Sequence, residues 1–306
     1  MRVKKPPINL DLISAALHHG CMGVPQELVD DIMNMLCDDI STLKACSLTC
    51  RAMFASARPV IHRTLRLSLR NNGIALIEDS RKKTFCKPGH HVLRFLSYMG
   101  EQGILRYTRE IEVGNPGTFT PGNLRPHLHH FQSLDRVYSL TIYGYDATKW
   151  ANHYNTYFDN LYPTLTSLSL HFPVGHYRLL LQFILQFPNL ENLCLELLQN
   201  EELIPPNMDV PTIADQIAPL SGHLRLGGTV TNGASRWLTE FAYKLPNGVH
   251  FRSIELENFS GQHAQHMVNA CGRTLENLII VPSGNGTYLP CFSGRSGGVI
   301  NEVSFA

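Results

Sequence analysis

Beyond residue 63 the chain repeats one short phrase, an apolar residue on either side of a single variable one. Its eight copies are Leu65-Arg66-Leu67, Ile111-Glu112-Val113, Leu140-Thr141-Ile142, Leu168-Ser169-Leu170, Leu193-Cys194-Leu195, Leu224-Arg225-Leu226, Ile254-Glu255-Leu256 and Leu278-Ile279-Ile280. Alternation with a period of two sends successive side chains to opposite faces, so each phrase predicts a strand with one buried side. From first residue to first residue the phrases advance by 46, 29, 28, 25, 31, 30 and 24 positions. A period of that size is the mark of a stacked repeat, in which no unit can bury its apolar face without its neighbours.

Between the later phrases lie amphipathic segments of about three helical turns each, at Tyr177 to Phe187, Ala234 to Leu245 and Gln262 to Cys271. Several units end on a proline just before the next strand, at Pro163, Pro188, Pro219 and Pro246, where the ring stops a helix and turns the chain. The long first step predicts an insertion in Asn71 to Gly100, where Arg81-Lys82-Lys83 and Lys87-Pro88-Gly89 read as an exposed loop ahead of a helical stretch from His91 to Met99. The expected fold class is α/β: a small all-α N-terminal module followed by an irregular solenoid of alternating strands and helices.

With 43% hydrophobic residues in a chain of 306, a sizeable core is expected. Lys plus Arg number 26 against 25 Asp plus Glu, so a formal charge of +1 supplies no general attraction for nucleic acid or an anionic membrane, and neither is expected as a partner. The longest apolar run, around Leu179 to Phe187, is broken by Gln182 and Gln186 and is too short to span a bilayer, which predicts a soluble protein. Residues 1–23 read as a disordered leader. Pro6, Pro7 and Asp11 interrupt the apolar stretch that a secretory signal would need. The eight cysteines stand singly, without a paired motif, as expected of reduced thiols in the cytoplasm or nucleus.

Residues 24–60 carry a different pattern. Leu28, Ile32 and Leu36 share helical spacing, as do Val29 and Met33, in a helix expected to start near Pro25, with Glu27 and Asp30 facing the positive end of its dipole. Asp38, Asp39 and Ser41 offer caps for a second helix, whose apolar positions are Leu43, Cys46 and Cys50. A third, from Arg51 through Phe54 and Ala57, is expected to end at the Arg58-Pro59 step. Three short helices cannot bury every apolar stripe among themselves, so some of that surface needs a partner or the following domain.

This module resembles an F-box of the fungal type. The resemblance rests on Val24-Pro25-x-Glu27-Leu28, then Ile32 and Leu36, then Leu43-x-x-Cys46-Ser47-Leu48-x-Cys50-Arg51, and extends only from Val24 to about Ala57. Met53-Phe54 departs from it where many F-boxes have a tryptophan or another large aromatic. Residues 61–281 resemble the irregular leucine-rich repeats found behind F-boxes, best in Leu165-x-x-Leu168-x-Leu170, Leu190-Glu191-Asn192-Leu193-x-Leu195 and Leu275-Glu276-Asn277-Leu278-x-Ile280, although the asparagine or cysteine turn after the strand is missing.

The resemblance implies a non-catalytic substrate receptor of an SCF-type ubiquitin ligase that binds a Skp-type adaptor, and through it a cullin. It implies that Pro25, Glu27, Leu28, Val29, Ile32 and Leu36 lie at or near the adaptor, supported by Leu43, Cys46, Cys50 and Arg51. A protein substrate would meet the outward strand residues Arg66, Glu112, Thr141, Ser169, Cys194, Arg225 and Glu255, with Arg109, Tyr138, Tyr143 and Tyr145 nearby. Tyr138, Tyr143 and Arg225 are the preferred anchors, because tyrosine and arginine are common at interface hot spots. The alternative from the same residues is a leucine-rich scaffold or sensor, its helical front serving only as a cap. The Gly-, Ser- and Pro-rich residues 282–306 are expected to form a tail or partial cap.

No catalytic motif or cofactor fingerprint appears. His127-x-His129-His130 and His263-x-x-His266 have ligand-like spacing but no second half to complete a zinc site. Gly284-Asn285-Gly286 and Gly294-x-x-Gly297-Gly298 do not form a phosphate loop. No metal or cofactor is expected.

Overall fold

The computed structural model describes residues 24–70, 73–76, 97–114, 134–143, 159–171, 180, 183–197, 220–228, 248–257, 261–281 and 302–305. The chain divides into two compact units, Met1–Thr64 and Leu65–Ala306.

In the first unit, helices α1 (Gln26–Met35), α2 (Ile40–Ser47) and α3 (Arg51–Ile61) enclose a core of Val29, Met33, Leu36, Leu43, Cys46, Met53 and Ala57. Pro25 stands just before α1, and its carbonyl accepts from the Leu28 and Val29 amides. Asp39 caps α2, its carboxylate accepting from the Thr42 amide at 3.0 Å and from the Ser41 and Thr42 hydroxyls. Gln26 ties α1 to α3: its Nε2 donates to Ser56 Oγ at 2.6 Å and to Asp30 Oδ1 at 2.9 Å.

Two expectations for this unit need correction. Helix α3 does not stop at Arg58 but continues through Pro59 to Ile61. In the last turn the ring forfeits one backbone bond, and Val60 and Ile61 pack against the core, which outweighs that loss. Cys50 is not on the apolar face of α2. It is the extended N-cap of α3, where its Sγ accepts from the Met53 amide at 3.5 Å.

The second unit is built on a ten-stranded sheet: β1 (Thr64–Arg70), β2 (Gly73–Leu76), β3 (Glu110–Gly114), β4 (Ser139–Tyr143), β5 (Ser167–His171), β6 (Asn192–Leu197), β7 (Leu220–Gly228), β8 (Val249–Glu257), β9 (Asn277–Val281) and β10 (Glu302–Phe305). Strands β3 to β10 are parallel and lie side by side in chain order, with β1 beside β3 and β2 outermost. This is an α/β protein with an eight-stranded parallel portion and few helices among the described residues.

The register follows from the repeated phrase. Ile111, Leu140, Leu168, Leu193, Leu224, Ile254 and Leu278 form one cross-strand row, and Val113, Ile142, Leu170, Leu195, Leu226, Leu256 and Ile280 the next. Every member of both rows is buried. Against them pack Leu134, Leu161, Leu165, Leu180, Phe183, Phe187 and Leu190, with Phe183 and Phe187 edge to face at 5.2 Å. Helix α4 (Gly261–Cys271) contributes Met267, Val268 and Cys271.

Strand entries are also linked from repeat to repeat. The Arg109 carbonyl accepts from the Tyr138 and Ser139 amides, the Tyr138 carbonyl from Thr166 and Ser167, the Thr166 carbonyl from Glu191 and Asn192, and the Glu191 carbonyl from His223. Each repeat thereby satisfies backbone groups of the next as the chain turns into its strand.

Two strands were not expected from the sequence. β2 lies inside the expected insertion and pairs antiparallel with β1, while β10 lies inside the tail and extends the sheet by pairing with β9. Of the expected helix His91 to Met99, only 97–99 are described, within helical residues 97–101. The segment Tyr177 to Phe187 is described at 180 and from 183 onward, helical at 180, 183 and 184, while Ala234 to Leu245 lies outside the described residues.

Candidate functional site

The helical unit spends its apolar residues unevenly. Helix α1 has two adjacent stripes, and the packing of α2 and α3 covers Val29 and Met33 on one together with Leu36 at the end of the other. Leu28 on the other stripe remains 51% exposed, and Ile32 is half-buried. Met35 at the end of α1 is 74% exposed, Leu48 after α2 is 86% exposed, and Phe54 on α3 is 49% exposed, with the Arg58 guanidinium 5.7 Å from its ring centroid. Four large apolar side chains of this small unit are therefore exposed to solvent.

Of the residues singled out in the sequence, Pro25, Glu27, Leu28 and Arg51 are on the surface, and Ile32 and Cys50 are half-buried. Val29, Leu36, Leu43 and Cys46 are core residues, and they shape a surface without forming it. Met35, Leu48 and Phe54 were not among the expected adaptor contacts, because helical spacing alone does not tell which apolar side chains the other helices will leave uncovered.

In the second unit, the variable residue of each phrase lands on the sheet face opposite the buried rows. Glu112, Thr141, Ser169, Cys194, Arg225 and Glu255 are successive register partners in one row. Arg66 joins its end, donating from Nε to Glu112 Oε2 at 2.8 Å. A second outward row holds Tyr143, His171, Glu196 and Gly227. The Tyr143 ring stacks on His171 at 4.5 Å, and His171 Nδ1 hydrogen-bonds Glu196 Oε2. Beside that row Arg225 Nη2 donates to Glu257 Oε1 at 2.5 Å, while its Nε stands 3.5 Å from Glu255 Oε1. His171, Glu196 and Glu257 were missed, although the same alternation carried two residues past each variable position points to them.

Tyr143 is 38% exposed and Arg225 is exposed. Tyr138 precedes β4 and is half-buried, its hydroxyl donating to Glu110 Oε1 at 3.0 Å. The Arg109 guanidinium donates to the Arg106 and Thr108 carbonyls. Tyr145 lies outside the described residues, as does the His127 to His130 cluster.

Two titratable groups of this face, Cys194 and Tyr143, are held toward their protonated forms. Burial pushes the Cys194 thiol above its ordinary value, and nearby Arg225 only partly offsets that, so the group stands protonated. Burial, and then the charge of Glu112, raise the Tyr143 phenol in the same way. Cys271, beneath the sheet, is pushed up to about 12 by burial. Among the described residues no group of His, Cys, Asp and Glu side chains is placed to hold a metal ion, and no helix is long and apolar enough to cross a membrane.

Compared with known proteins, the chain matches no family model and no curated sequence.

Proposed function

We propose that this chain is a non-catalytic substrate receptor of an SCF-type cullin-RING ubiquitin ligase, working in the cytoplasm or nucleus. The helical unit acts as an F-box that docks on a Skp-type adaptor, and the second unit acts as an irregular leucine-rich-repeat solenoid that holds a protein substrate. The observation that carries the proposal is the exposed apolar set Leu28, Met35, Leu48 and Phe54 on a unit whose sequence resembles an F-box. Supporting the solenoid reading are parallel strands in chain order, built from a phrase that recurs mostly every 24 to 31 residues.

The mechanism is proximity. Catalysis belongs to other subunits, and this chain contributes two binding surfaces that raise the effective concentration of a substrate lysine near a charged conjugating enzyme. Leu28 is the proposed apolar anchor on the adaptor side, with Pro25, Glu27, Ile32 and Arg51 around it. On the substrate side Tyr143 and Arg225 are the proposed anchors, with Tyr138 at the strand entry.

Co-purification with a Skp-type adaptor from the same source tests the proposal. One-to-one recovery with the folded chain is the expected result, and no recovery with a chain whose circular dichroism is that of a folded α/β protein would overturn it.

A further inference from the structure

We draw no further inference here: the strongest candidate, the outward sheet face where Tyr143 stacks on His171 and Arg225 sits between Glu255 and Glu257, belongs to the surface already described, and nothing in the structure shows what covers it.

Discussion

Gly222 has a positive φ of 85° where the Glu191 carbonyl comes close to β7 and accepts from the His223 amide at 2.7 Å. A Cβ there would lie 2.0 Å from that oxygen, and the register between β7 and β8 shifts at the same point. Gly222→Ala should therefore cost about 3 kcal/mol or more, because it adds a backbone clash to left-handed strain. Gly103→Ala, at φ 62° but with open space around the added carbon, should cost only about 1–2 kcal/mol. Denaturant unfolding of the two variants separates these causes. Asp39 offers a second test at this scale. Hydrogen bonds from Ser41 and Thr42 hold its carboxyl at about 2, down from 3.8. A depressed folded-state value means that the cap stabilises the unit fully above 3.8 and loses its effect as pH falls toward about 2. Asn at this position can still accept from the Thr42 amide but does not titrate. Asp39→Asn should therefore be the less stable protein at neutral pH, and the gap should close across that interval in thermal melts followed by circular dichroism.

Among the elements, the helical unit separates side chains that hold its core from side chains left in solvent. Leu43 is fully buried in α2, so Leu43→Ala should destabilise the unit by about 2–5 kcal/mol. Leu28, half in water on α1, should accept Asp with the helical signal intact, and a loss of helicity in Leu28→Asp would contradict the exposure assigned to it. All eight apolar phrases lie in strands, because a pattern of period two has one buried side only in extended backbone. β2 and β10 were harder to see. Gly73-Ile74-Ala75-Leu76 does not alternate cleanly, and Glu302 to Phe305 alternates for only four residues within a glycine- and serine-rich stretch. Both are edge strands whose pairing is decided by the neighbour already in place, β1 or β9. Pro59 was misread for a similar reason. The ring has a local cost, while the packing of Val60 and Ile61 that offsets it is tertiary.

Across the whole molecule, the outward row from Glu112 to Glu255 was legible residue by residue, since parity along each strand fixes the face and the repeat fixes the neighbour. The apolar surface of the helical unit was legible only in part: spacing identified Leu28, but the exposure of Met35 and Leu48 depends on where α1 and α2 end. Stacking also couples the repeats. Leu193→Ala, at a buried position between Leu168 and Leu224, should cost about 2–5 kcal/mol and weaken adjoining repeats with its own, visible as faster amide exchange in β5 and β7 as well as in β6. On the proposed function, exposed apolar side chains of the helical unit, and not the outward sheet face, dock the adaptor. The most direct test is an equilibrium titration of a Skp-type adaptor into wild type, Leu28→Asp and Arg225→Ala, each confirmed folded. Arg225→Ala should bind like wild type while Leu28→Asp binds at least roughly 100-fold more weakly, as expected for a charge placed in a desolvated apolar anchor. Equal losses in the two variants, or full affinity in Leu28→Asp, would contradict the proposed docking.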